Sequence, residues 1–241
     1  NNGSGDLARS LQVWIKPKSI TIPNNTVSQI VTYSDDQQNA KSFARGWSLQ
    51  GTHVSGTIKL KMRLNSVAQQ YNVELSEGLA MDKWYHVCVT YDGQEAQTLD
   101  GLKIYIDGEK KSIVSNRPTA VTNYTGMSGS VDYRIVLGHS SNQLNTPNSF
   151  VGNMNNLAIF DKELTSTEVS ELYGLINNTS ENYSLLSDPI KTRSSSVSSN
   201  IIAYWPFNGS SKTIDSGTGF AIYTDTVSYT HLRDHETSDY L

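Results

Sequence analysis

The chain has 241 residues, of which 37% are hydrophobic and 17% charged, with a formal charge of −4 and a pI near 5.7. That balance leaves no cationic footprint for nucleic acid or an anionic membrane, and no apolar run approaches the ~18 residues of a spanning helix. The length suits one large β-domain or two small ones, and the abundance of Ser, Thr and Asn suits strands and long loops rather than coiled coils.

Short alternating segments recur along the chain: "SLQVWIKP", "SQIVTYSD", "GWSLQG", "GTIKLKMRL", "QYNVELS", "WYHVCVTY", "LKIYIDG", "YRIVLGH" and "NMNNLAIFD". Gly, Asn, Asp or Pro separate most of them, which predicts many strands joined by turns. In "TIKLKMRL", Ile58, Leu60, Met62 and Leu64 are expected to face inward, with Lys59, Lys61 and Arg63 facing water. The run from Trp84 to Tyr91 differs, because it is apolar or aromatic on both faces. That pattern predicts a strand covered on both sides. It ends at Asp92-Gly93, and the next run, with Leu102, Ile104 and Ile106 on one face, ends at Asp107-Gly108. The two read as a long-looped hairpin inside a sandwich. Cys88, the single cysteine, sits mid-strand and reads as a small buried hydrophobe.

One helix is expected at 165–173. Thr165 and Glu168 have capping-box spacing, and Leu164 and Val169 occupy the hydrophobic-staple positions. Val169, Leu172, Tyr173 and Ile176 form its apolar face, and Gly174 is placed to weaken or end it. Residues 177–199 are aperiodic and rich in Ser and Asn, the composition of a linker. In the final stretch, His231 and His235 have a spacing that a helix would turn into a zinc pair. The same string, 226–241, resembles the translation of a sequencing-library adapter. That resemblance implies a non-native tail on an environmental gene fragment.

"SLQVWIKP", "GWSL", "KWYHVCVTYDG", "LKIYIDGE", "IVLGHSS" and "FVGNMNNLAIFDKELTSTEVSELY" follow one another in order. The series resembles the laminin-G-like, concanavalin A-like lectin and glucanase superfamily, in particular its pentraxin-related branch. The resemblance spans about residues 7–176. It implies an all-β fold, an antiparallel jelly-roll sandwich with one short surface helix. Domains of this kind open with a strand written roughly apolar-Tyr-Trp-x-Phe. That pattern is missing from residues 1–10 and appears at "IIAYWPFNG". The organisation implied is a domain at 1–176 lacking its own first strand, a linker at 177–199, and the opening of a second, tandem repeat at 200–225. Ile202, Tyr204, Trp205 and Phe207 are expected to fold back and fill the vacant strand position beside "NMNNLAIFD".

The fold hosts both enzymes and binders, so chemistry must be read from residues. Glycosidases of this superfamily carry Glu-x-Asp-x-x-Glu on one strand. No such run occurs, and Glu74 and Glu77 have the wrong spacing. Outside the tail only His53, His86 and His139 are available to a nucleophilic triad, and His86 reads as a packed core residue. The resemblance implies a calcium site between "YSDDQQNA" and "GHSSNQLNTPNS", with Asp35, Asp36 and Asn39 from the first and Asn142, Gln143 and Asn145 from the second. The second loop has no carboxylate, and Asn153 and Asn155 flank Met154 where the family has a Gly-x-Ile-Asp run, so the site is expected to be weak or absent. Sugars stack on exposed rings, and Tyr33, Trp47, Tyr124 and Tyr133 are the aromatic candidates. Asn-x-Ser/Thr sequons start at Asn24, Asn123, Asn177, Asn178, Asn182 and Asn208, among others.

The reading is therefore a non-catalytic recognition or adhesion module, extracellular, on a cell surface or on a virion. It would bind glycan or protein through its loops and sit beside further repeats of its own chain. The alternatives are a ligand-free spacer in a surface or tail fibre and, as a third class, a glycoside hydrolase.

Overall fold

The computed structural model describes residues 8–19, 23–35, 46–65, 70–93, 101–115, 133–138, 149–177, 197, 199–205 and 207. Along these run β1 (Arg9–Pro17), β2 (Val27–Asp35), β3 (Gly46–Val54), β4 (Thr57–Asn65), β5 (Gln70–Leu75), β6 (Leu79–Ala80) and β7 (Tyr85–Tyr91). They are followed by β8 (Leu102–Ile106), β9 (Glu109–Lys110), β10 (Ile113–Ser115), β11 (Tyr133–Leu137), β12 (Gly152–Phe160), α1 (Ser166–Asn177) and β13 (Ile201–Trp205). Sheet one has the order β13-β12-β1-β7-β8-β9, and sheet two the order β10-β5-β4-β3-β2-β11, with β6 pairing on β4. The strand pairs in both sheets are antiparallel, as expected of a concanavalin A-like sandwich.

Period-two alternation accounts for the core between the sheets. Ile58, Leu60, Met62 and Leu64 of β4 meet Val87, Val89 and Tyr91 of β7 and Leu102, Ile104 and Ile106 of β8 in one buried cluster. The backs of β4's apolar positions are not fully wet: Lys59, Lys61 and Arg63 are half-buried. The second covered face of β7 belongs to the helix. Cys88 packs with Trp14, Tyr105, Ala158 and Phe160 beneath Leu164, Val169 and Leu172. Val169 and Leu172 are fully buried there, and burial of such side chains stabilises by roughly 1.5–3 kcal/mol each.

The helix starts as its sequence dictates. Glu168 N–H donates to Thr165 Oγ1 at 3.3 Å, and Thr165 N–H donates to Glu168 Oε2 at 2.9 Å. Replacing Thr165 by Ala is expected to cost about 1 kcal/mol in a urea melt, because an N-terminal amide loses its acceptor. The end differs from expectation, since α1 runs through Gly174 to Asn177. Gly174 does not adopt the positive φ of a helix-ending glycine. A helical glycine costs only ~1 kcal/mol relative to alanine, less than the packing of Val169 and Leu172 before it supplies.

Three short strands, β6, β9 and β10, were not expected. β9 is two exposed charged residues, Glu109 and Lys110, and carries no alternation to detect. It exists because Asp107 (φ 53°) and Gly108 (φ 81°) form a two-residue turn with both φ positive, the geometry that matches strand twist. A Cβ on Gly108 would also come within 3.1 Å of the Tyr173 ring, so the glycine lets this turn lie against α1.

β13 pairs with β12, with Trp205 opposite Leu157, Tyr204 opposite Ala158, Ala203 opposite Ile159 and Ile201 opposite Phe160. Side chains fix this register: Tyr204 OH donates to Asn156 Oδ1 at 2.9 Å, and Asn200 Nδ2 donates to Asp161 Oδ1 at 3.1 Å. Ala203, Trp205 and Phe207 pack against the inter-sheet core, whereas Ile201, Tyr204 and Val197 join the layer under α1. Ile202, expected to fill this position, points to solvent and is 51% exposed. Alternation with Trp205 gives its place to Ala203, and the register shift between Ile159 and Phe160 accompanies the turn of Ile201 to the layer under α1. Most of the linker, residues 208–225 of the second-repeat opening and the tail at 226–241 lie outside the described residues.

Candidate functional site

Strand directions bring the described candidate residues, Tyr33, Asp35, Trp47 and Tyr133, to one end of the sandwich. β2 leaves at Asp35 and β3 enters at Gly46, opposite Ser34. β11 enters at Tyr133, opposite Asp35. β4 leaves at Asn65 opposite Gln70, and β7 leaves at Tyr91 opposite Leu102. At the far end the two sheets are tied where Asp82 N–H donates to Pro17 O at 2.6 Å. The connections 36–45, 66–69, 94–100 and 116–132 are thus all anchored at the end away from that tie.

Tyr33 and Trp47 lie side by side at this end, their rings stacked with centroids 5.6 Å apart and planes inclined by 27°. Trp47 is 5% exposed and belongs to the core cluster, so it is not an open stacking platform. Its face follows from alternation with Leu49, which is also buried inward. Tyr33 is half-buried beside it. Tyr133 and Asp35 are adjacent backbone partners, and Tyr124 lies outside the described residues.

Of the proposed calcium ligands, Asp36, Asn39, Asn142, Gln143 and Asn145 lie outside the described residues. The anchors of their two loops can be compared. The first loop leaves from Asp35 and returns at Gly46. The second is anchored at Gly138, whose N–H donates to Ile30 O at 2.8 Å, and at Phe150, whose N–H donates to Gly138 O at 2.9 Å. Five residues of β2 separate these anchors, roughly 16 Å of strand. Among the described residues no group of three or more His, Cys, Asp or Glu side chains is placed to hold a metal ion.

Among the described residues, His53, His86 and Cys88 are all interior. Ser28 Oγ lies 2.6 Å from His53 Nε2, a pairing the sequence had not suggested. Ser28 is 0% exposed, and burial alone lowers the His53 pKa, with no carboxylate contribution. A serine without access to substrate and a histidine without an orienting acid make a structural hydrogen bond, not a catalytic one. His86 is fully buried, its ring 5.4 Å from Trp14 and 5.9 Å from Tyr173. Its Nε2 contacts Gln12 Oε1 at 2.8 Å, while Gln12 Nε2 donates to Asn156 O at 3.2 Å. Gln12 Oε1 must therefore accept, which assigns the proton to His86 Nε2 and a neutral ring. Burial pushes its pKa down to about 3. Burial pushes the Cys88 thiol up, and the residue is fully enclosed, so it is no nucleophile.

The outer face of sheet two holds a second constellation, one not apparent from the sequence. Its strand register aligns Thr32, Ser48, Arg63 and Asn72 in one row across β2, β3, β4 and β5. Gln29, Gln50, Lys61 and Glu74 form the next row. All eight are polar. Gln50 Nε2 donates to Ser48 Oγ at 3.0 Å, Arg63 Nε donates to Asn72 Oδ1 at 3.2 Å, and Lys61 Nζ lies 3.8 Å from Glu74.

The family model of the concanavalin A-like lectin/glucanases superfamily matches residues 4–170. Among solved structures, similarity is found to a native heptameric SAP-like pentraxin from Limulus polyphemus, at 19% identity over 70% of this chain and 72% of that one, with a TM-score of 0.48. A candidate carbohydrate binding protein from Bacteroides ovatus is 14% identical over 87% of this chain, with a TM-score of 0.47. The binding domain of botulinum neurotoxin serotype G is 21% identical over 72% of this chain, also with a TM-score of 0.47. This chain spans 48% and 37% of the latter two. No curated protein matches it.

Proposed function

Because the chain belongs to the concanavalin A-like lectin/glucanases superfamily, we propose that it is a non-catalytic recognition module that binds glycan or extracellular protein through its loops. The observation that carries this reading is the gathering of four connections at one end of a rigid sandwich, anchored at Asp35, Asn65, Tyr91 and Tyr133. Loops presented by a rigid scaffold are the usual place for recognition. The burial of Ser28, His86 and Cys88 favours binding over hydrolysis. A location outside the cell, on a cell surface or on a virion belongs to the same proposal. So does calcium held between residues 36–45 and 139–148.

A glycan array run with calcium and with EDTA tests the proposal. Binding without release of reducing sugar is the expected result. Silence across the array would favour a ligand-free spacer, and sugar release would make the module a glucanase. Calcium at a hundred times its Kd would stabilise the fold by about 2.7 kcal/mol. A melting temperature unmoved by EDTA would remove calcium from the proposal.

A further inference from the structure

An Asn-x-Ser/Thr motif recurs by chance in a chain this rich in Asn, Ser and Thr, so the motif alone assigns nothing. The structure separates one copy from the rest. The other sequons named above fall wholly or partly outside the described residues, whereas Asn24, Asn25 and Thr26 form the described turn that leads into β2. Asn24 and Asn25 are exposed, and Thr26 is half-buried. Asn25 has a φ of 65° and its N–H donates to His53 O at 2.8 Å, while Thr26 N–H donates to Pro23 O at 3.2 Å. The backbone therefore holds this turn in shape. Ser55 N–H donates to Asn24 Oδ1 at 2.8 Å. A backbone amide can only donate, so the oxygen of the Asn24 carboxamide faces Ser55. Its Nδ2 is left without a partner among the described residues. Ser55 and Gly56 form an exposed turn next to it, and a Cβ on Gly56 would meet nothing within 4 Å. The ground beside the carboxamide is open.

We propose that Asn24 is an acceptor for an N-linked oligosaccharide. The donor is an oligosaccharide carried on a polyprenyl diphosphate, and the transferase is that of the secretory route. Asn24 Nδ2 bonds to the anomeric carbon of the sugar, and the carbon–oxygen bond to the diphosphate breaks. The diphosphate leaves with the bonding pair, and the amide gives up one proton. No oxidant or reductant is needed. Transfer of this kind takes place on the emerging chain, so the fold decides whether the product can stay. Here it can: the substituted atom is the unengaged nitrogen, and the oxygen keeps its bond from Ser55. The glycan would also leave the recognition loops clear. Asn24 precedes Val27, and the length of β2, roughly 26 Å, separates that end from Asp35. The site rests on the proposed location outside the cell, and it requires no ligand at the loop end.

The full chain, secreted from a eukaryotic host, supplies the test. Trypsin yields peptide 19–41, which contains this one sequon. Enzymatic release of the glycan in heavy-oxygen water leaves a labelled aspartate in place of Asn24, which mass spectrometry locates. Most copies of the peptide are expected to carry the label. Thr26→Ala should abolish it, and Thr26→Ser, which keeps the motif, should retain it. A secreted chain whose peptide 19–41 is unmodified would overturn the proposal, as would a label that survives Thr26→Ala. Melting the wild-type chain before and after glycan release gives a second readout. The glycosylated form should melt no lower than the released one, and a lower melting temperature would show that the folded turn does not tolerate the sugar. An unmodified peptide alongside binding on the glycan array would sink the acceptor site and leave the proposed function standing. A labelled peptide alongside a silent array would do the reverse.

Discussion

A chain ending at residue 196 is expected to melt about 10 °C below the full chain and to aggregate on warming. The segment that follows carries Val197, fully buried under α1, and the side chains of Ala203, Trp205 and Phe207, packed on the inter-sheet core. Truncating a buried tryptophan costs roughly 3–5 kcal/mol, the half-buried Trp205 less, but Val197 and the other lost contacts add to it, and each kcal/mol moves the melting point of a domain this size by roughly 2–4 °C. The loss would also strip the backbone partners from Leu157 to Phe160 of β12. An apolar strand with a bare edge is a template for self-association. Differential scanning calorimetry and size-exclusion chromatography read both effects. An unchanged melting temperature would show that β13 contributes nothing to the domain.

Acid is expected to weaken the fold between pH 6.5 and about 3, through His86. Its pKa falls from 6.5 to about 3 on folding, because burial excludes the charged ring. The sign follows directly: below pH 6.5 the unfolded chain takes up a proton that the folded chain refuses, so stability drops as pH falls. The loss is about 3 kcal/mol by pH 4 and approaches roughly 5 kcal/mol by pH 3. His53, whose pKa burial also lowers, acts in the same direction. Glu168 adds a later loss. Burial raises its pKa, but hydrogen bonds from Lys162 and Thr165 outweigh that and hold it below the ordinary carboxylate range. Its contribution disappears only as pH falls through that lowered value. Urea melts at pH 7, 5.5 and 4 measure the slope. His86→Gln keeps a donor for Gln12 and cannot titrate, so it should flatten the profile. A slope unchanged in that variant would assign the acid sensitivity elsewhere.

The sandwich was legible wherever local pattern and tertiary environment agree. The two apolar faces of Tyr85–Tyr91 announced a strand with cover on both sides, and Thr165 with Glu168 announced the start of the helix that supplies one of those covers. Short elements fixed by turn geometry, such as Glu109–Lys110 behind Asp107-Gly108, carry no periodic signal of their own. Trp47 was misjudged as a candidate platform although its alternation with Leu49 pointed inward; aromatic identity was weighed above strand phase. The polar rows on sheet two were hidden for another reason. Thr32, Ser48, Arg63 and Asn72 become neighbours only through the register of four strands, and β2 shifts register between Gln29 and Val31. A one-residue shift sends every later side chain to the opposite face, so no count along the sequence would have aligned these rows.

Cys88 gives the molecule a clock. It is the only cysteine in the chain, and it lies sealed in the layer that α1 closes over sheet one. A thiol reagent in solution can reach that sulfur only when the layer parts, so the rate of reagent consumption under native conditions counts opening events one by one. The protein thus reports its own breathing without an introduced label. Because Val197, Ile201 and Tyr204 share the Cys88 layer, the same clock ticks faster whenever the last strand lets go.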